Sequence, residues 1–85
     1  MIISESGLTL YQRDVLRYAR RRGQRGFTDV ELSRNATTAG STYRTRRNEL
    51  TTLRLIVDTG RVKMHLPSAR KHRIWAIAKG LTVRP

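Results

Sequence analysis

The stretch from Ser41 to Gly60, STYRTRRNELTTLRLIVDTG, decides how the rest of the chain is read. It has the pattern of a helix with an arginine-rich outer face that runs into a short apolar strand and a turn. At ~100° per residue, Tyr43, Leu50, Leu53 and Val57 fall within ~60° of one another, which predicts one buried stripe. Ser41, Arg44, Thr45, Asn48 and Thr52 lie on the far side. That set is short, polar and rich in hydrogen-bonding groups, and it lacks the Glu and Lys mixture of an ordinary solvated face. A helix laid in the DNA major groove needs such a surface. Arg46 and Arg47 fall at roughly −40° and +60° from Leu50, on the margins of the stripe. Burying two guanidinium groups costs too much. Their stems are therefore expected to cover the core while the heads snorkel out beside the polar face, where backbone phosphates would run.

Charge points the same way. The 85 residues carry a net +12 and a pI near 11.7, which favours an anionic partner. Residues 1–40 hold seven Arg against four carboxylates, a net +3. Residues 41–85 hold eleven Lys or Arg against Glu49 and Asp58, a net +9, so the positive field belongs to the candidate helix and the segment C-terminal to it. An apolar content of 38% with periodic patterning indicates one small folded domain spanning 1–85, not a disordered basic arm. Without cysteine there is neither a disulfide nor a thiolate metal site, which fits a reducing cytoplasm. The beginning MIISESGLTL lacks a basic, then apolar, leader pattern, and no run approaches the ~20 apolar residues of a membrane span. The expected location is cytoplasmic, on the nucleoid or in a host cell's cytoplasm if the protein is viral, with no membrane partner.

Along the chain, residues 1–8 and 79–85 read as frayed tails. Thr9 and Gln12 form a capping box for a helix to about Arg22, with Leu8, Tyr11, Val15, Leu16 and Ala19 as its buried stripe. Gly23 ends it, and Arg20, Arg21, Arg22 and Arg25 cluster there, complementing the helix dipole or anchoring a phosphate. Thr28 and Glu31 form a second capping box, with Phe27 and Leu32 as a hydrophobic staple, opening a short helix to Asn35. Residues 36–40 make a turn of helix-turn-helix length, and Thr38 or Ser41 caps the third helix. Asp58-Thr59-Gly60 then turns the chain. In Arg61 to Leu66 basic and apolar residues alternate, placing Val62, Met64 and Leu66 on the core and Arg61, Lys63 and His65 outside. Residues 67–71 form a polar hairpin tip. On the return strand Trp75 and Ile77 point inward, or in the opposite register Ile74 and Ala76 do.

Three helices followed by a basic hairpin, with the segments STYRTRRNEL, LIVDTGRV and ARKHRIWAI, resemble the small winged helix-turn-helix domains of bacterial and bacteriophage DNA-binding proteins. The resemblance spans about residues 8–78. It implies an α+β fold of three helices and a two- to three-stranded antiparallel wing, acting in transcription regulation or as a recombination accessory factor. By position, Ser41, Thr42, Arg44, Thr45, Arg46, Arg47 and Asn48 fall on or beside the groove-facing part of the recognition helix. Arg61, Lys63, Arg70, Lys71 and Arg73 fall on the wing. One departure stands out: many such domains carry Gly just before the strand, whereas this chain has Arg54-Leu55-Ile56.

The residues themselves allow direct readout. Arg44 suits guanine O6/N7, Asn48 suits adenine N6/N7, and Ser41 or Thr45 suits a base or phosphate. The alternating cations and Arg70-Lys71 suit phosphate or minor-groove contact; a charged hairpin that keeps a sheet edge soluble is the competing reading. His65 and His72 are expected to meet across the hairpin, yet no Cys or acidic cluster completes a metal site. The carboxylates are scattered and the glycines sit at turns, so the expectation is a non-enzyme without cofactor. The expected partner is double-stranded DNA. A module that blocks a host protein through its basic face is the alternative, and the oligomeric state is monomer or homodimer.

Overall fold

A computed structural model describes residues 1–35, 41–67 and 69–84, and their side chains except that of Ser41. The chain forms β1 (Ile2–Ser4), α1 (Leu10–Arg22), α2 (Asp29–Asn35), α3 (Ser41–Thr52), β2 (Ile56–His65), β3 (Arg70–Ile77) and β4 (Thr82–Arg84). Single 3-10 turns cover Glu5–Gly7 and Gly23–Arg25. This is an α+β arrangement of three helices and a two-stranded antiparallel sheet, β2 with β3. Among the described residues, no helix is long and apolar enough to cross a membrane. The turn at 36–40, and with it the choice of Thr38 or Ser41 as cap, lies outside the described residues.

Local signals set the first two helices. The Thr9 hydroxyl accepts from the Gln12 N–H at 3.3 Å, while the Gln12 side chain accepts from the Thr9 N–H at 2.9 Å. Thr28 and Glu31 exchange the same pair of bonds, at 3.0 and 3.2 Å. Phe27 and Leu32 are both buried in the core. Val15, Leu16 and Ala19 form the buried stripe of α1 as expected, but its third large core residue is Tyr18, and Tyr11 is exposed.

The end of α3 answers the missing glycine. Leu55 N–H reaches the Leu50 carbonyl and Arg54 N–H the Thr51 carbonyl, both at 3.0 Å, which is the paired closure of a Schellman motif. Arg54 therefore occupies the left-handed position, at φ 63°. Leu50 and Leu55, the apolar residues that bracket the motif, are buried. The helix thus stops at Thr52, which takes Leu53 and Val57 off the expected stripe and leaves them exposed, while Leu55 and Ile56 enter the core in their place. A non-glycine residue in this conformation costs about 1–2 kcal/mol, part of which glycine returns as backbone entropy. Arg54→Gly is thus expected to stabilise the fold by about 0.5–1 kcal/mol, read as a raised urea midpoint.

The hairpin departs most from expectation. Asp58-Thr59-Gly60 does not turn the chain; it is a bulge inside one continuous strand, between the pairs Asp58 with Trp75 and Val62 with Arg73. Asp58 Oδ1 accepts from Gly60 N–H and Thr59 Oγ1 donates to the Ile74 carbonyl, which satisfies the bulged backbone. Arg70 and Lys71 begin β3 and are not part of the tip. At the root both faces of β3 are covered, because Trp75 and the neighbouring Ala76 are both buried. Phe27 lies along the free edge of β3, exchanging backbone bonds of 2.7 and 2.8 Å with Trp75. The chain approaches that edge through Gly26, whose φ is 79°. A Cβ there would stand 2.5 Å from the Trp75 carbonyl oxygen. Gly26→Ala is expected to cost about 2–4 kcal/mol in a denaturant titration.

Among the described residues, the terminal segments are paired rather than frayed. β1 and β4 pair in parallel, Ile2 with Thr82 through Ser4 with Arg84, and Ile3 and Val83 pack against the core. The expectation of fraying fails because this pairing joins opposite ends of the sequence, which no local pattern announces.

Candidate nucleic-acid interface

Arg47 organises the site, though in another role than the sequence suggests. Its Nε and Nη2 donate to the two carboxylate oxygens of Asp29 at 2.8 and 2.6 Å. Its Cζ sits 3.9 Å from the centroid of the Trp75 ring. The residue is only 7% exposed. Burial is tolerable here because a bidentate carboxylate neutralises the charge and an indole face covers the plane. Asp29 also lies in the first turn of α2, where a negative charge complements the helix dipole. Arg47 is therefore a tie between α3, α2 and β3, not a snorkelling phosphate contact.

Arg46 is half-buried, its Nε lying 2.7 Å from Glu49 on the same helix. The outer face is as expected: Arg44, Thr45, Asn48 and Thr52 are exposed, and Thr42 is half-buried. Ser41 opens the helix, but its side chain lies outside the described residues. Arg44, 71% exposed at its side chain, stands 3.6 Å from Asp29, the carboxylate that also holds Arg47.

The two faces of the hairpin differ in what they meet. On one, Lys63 Nζ donates to Glu31 Oε2 at 2.8 Å, and Thr28 Oγ1 and His65 Nε2 share a 2.7 Å hydrogen bond. Arg61 Nη2 donates to the Gln24 and Arg25 carbonyls. His72 packs edge-on to His65, with ring centroids 5.2 Å apart, so the two histidines do meet. This face leans on α2 and the turn before it. Arg61, Lys63 and His65, expected to point outward, point at the body instead. On the other face Val62 is opposite Arg73 and Met64 opposite Lys71. Val62 and Met64 share the side of Trp75, as alternation requires, and Leu66 lies in the turn that follows; among the described residues no core lies beneath this half of the hairpin, and the three are 56%, 57% and 79% exposed. Strand periodicity reports a shared face; it does not report how far the helices extend under it.

The cations of this second face meet α3. Arg44 and Arg47 of α3, Asp29 of α2, and Lys71, His72, Arg73 and Trp75 of β3 line one open groove. Arg73 is 69% exposed at its side chain, 3.6 Å from Asp58. Arg70 and Lys71 are exposed, and neither forms an ion pair among the described residues. Sequence reasoning misses Asp29, His72 and Trp75 as parts of this groove. The aromatic position on β3 is visible in the sequence, but its arginine partner is not. Of the α1 cluster, Arg22 is tied to the Gly26 carbonyl and stands 3.7 Å from Glu31, while Arg20, Arg21 and Arg25 are exposed. Among the described residues, no three His, Cys, Asp or Glu side chains gather to hold a metal ion.

Glu31 joins this scaffold electrostatically. Burial opposes its ionisation, but hydrogen bonds from Lys63 and the Thr28 N–H, with the charges of Lys63 and Arg22, outweigh that and hold its carboxyl below the ordinary value near 4.5. A depressed folded-state value means stability that is present above the unfolded-state pKa and lost as pH falls through the folded one. Wild-type stability is therefore expected to fall more steeply below about pH 4.5 than that of Glu31→Gln, measured by urea titration across acid pH.

Comparison with protein-family models, with curated proteins and with solved structures returns no match.

Proposed function

We propose that the chain is a winged helix-turn-helix protein that binds double-stranded DNA in a sequence-dependent way, as a bacterial or bacteriophage transcriptional regulator or recombination accessory factor. α3 lies in the major groove, with Arg44, Thr45 and Asn48 toward base edges. The hairpin is the wing, with Arg70, Lys71 and Arg73 on the backbone or in the minor groove. The observation that carries this reading is the groove in which Arg44 of α3 converges with Lys71 and Arg73 of β3. Two exposed cationic sources on different elements face one concavity, beside a polar ridge free of carboxylates.

Selection from random duplex DNA, followed by competition with structured RNA, tests it. The expected outcome is a recovered sequence motif and duplex binding that RNA displaces poorly. Recovery of a single host protein from nuclease-treated lysate, with no motif and no footprint, would instead favour a protein-blocking module.

A further inference from the structure

We propose that the hairpin ends in an apolar wedge that enters the minor groove and bends the duplex; this rests on the DNA-binding reading above. Val62 and Met64 share one face of β2 and Leu66 follows in the turn at its end, making an apolar ridge more exposed toward the tip. Pro67, also exposed, comes directly after Leu66. Exposed apolar side chains grouped on one element, rather than scattered singly, point to a contact surface.

Charge selects which one. Lys71 and Arg73 stand directly across the strand pair from Met64 and Val62, so cations border the strand part of the ridge. A second copy docking ridge to ridge would bring these cations together on chains that each carry +12. The minor groove supplies the opposite environment: a floor and sugar walls that accept apolar atoms, flanked on both sides by phosphates. Leu66 and Pro67 are of the residue types that part a base step, with Arg70 and Lys71 placed for the flanking backbones. The outer end of the hairpin is also braced against lateral force, through Lys63 to Glu31 and His65 to Thr28.

The test uses the intact chain and the duplex recovered by selection, labelled with a donor and an acceptor dye at its two ends. Saturating wild-type protein is expected to raise energy transfer, reporting a bend of about 20–90°. Leu66→Ala, at a position too exposed to disturb folding, is expected to lose more than half of that bend at saturation. Its salt slope should match wild type, because leucine neutralises no phosphate. A bound but straight duplex, or an equally bent one with Leu66→Ala, overturns the wedge and leaves DNA binding standing. Failure of any duplex to bind overturns both. A dimer in sedimentation that Leu66→Ala or Met64→Ala dissociates would assign the ridge to self-association and overturn the proposal as well.

Discussion

Asp29→Ala is expected to lower stability by about 3–5 kcal/mol, because it leaves the Arg47 guanidinium buried without its carboxylate. In a domain of this size that corresponds to a fall in melting temperature of more than about 12 °C. It is also a large part of the about 5–15 kcal/mol that holds a typical fold. The loss has three sources that can be separated. Asp29 holds Arg47 through two hydrogen bonds, attracts Arg44 at 3.6 Å, and sits at the positive end of α2. Only the first is large, since exposed pairs and dipole contacts each contribute about 1 kcal/mol or less. Replacing both partners, as Asp29→Asn with Arg47→Met, is expected to recover most of the loss, because the desolvation cost of the charge disappears with the charge. If Asp29→Ala costs less than about 1 kcal/mol by thermal or urea unfolding, Arg47 is solvated in solution and returns to the set of phosphate contacts.

Arg44→Ala is expected to weaken binding to the selected site by about 1–3 kcal/mol, roughly 5- to 150-fold, and to change binding to unrelated duplexes far less. Lys71→Ala should behave differently, weakening all duplexes alike and making the salt slope shallower by about 1. With ~6 phosphates neutralised by the intact surface, the wild-type log–log slope is expected near −5. The contrast arises from placement: Arg44 projects from α3 beside Thr45 and Asn48, whereas Lys71 stands on the hairpin strand β3 beside Arg73, the part of the surface assigned to the backbone. The reverse pattern, specificity lost with Lys71 and uniform weakening with Arg44, would move the reading element from the helix to the hairpin.

Sequence reading succeeds where the interacting residues are close in the chain. The outer ridge of α3 and both capping boxes are legible because their partners lie within four residues, so spacing alone determines who meets whom. Arg47 is not. Its burial depends on Asp29, eighteen residues away, and on Trp75 across the sheet, neither of which the helical wheel contains. The hairpin shows the same limit differently. The alternation of Arg61 to Leu66 gives the right period, yet it assigns the two faces to the wrong environments. Which face meets protein depends on where α2 begins and on the bulge at 58–62, and both are tertiary facts. Arg54 is a third case. A glycine is the residue anticipated at that corner, and the corner keeps the glycine conformation with an arginine in it. Backbone geometry demanded by the closing hydrogen bonds outweighs the residue's own preference.

One surface, made jointly by α3 and β3, carries the DNA-binding claim. Titration of the isotopically labelled protein with the selected duplex, observed residue by residue by NMR, addresses it directly. The predicted result is that the amide signals of Arg44, Thr45 and Asn48 shift together with those of Lys71 and Arg73, while Arg17, Arg20 and Arg21 on α1 stay in place. Shifts centred on the α1 arginines, with α3 and the hairpin unmoved, would contradict it.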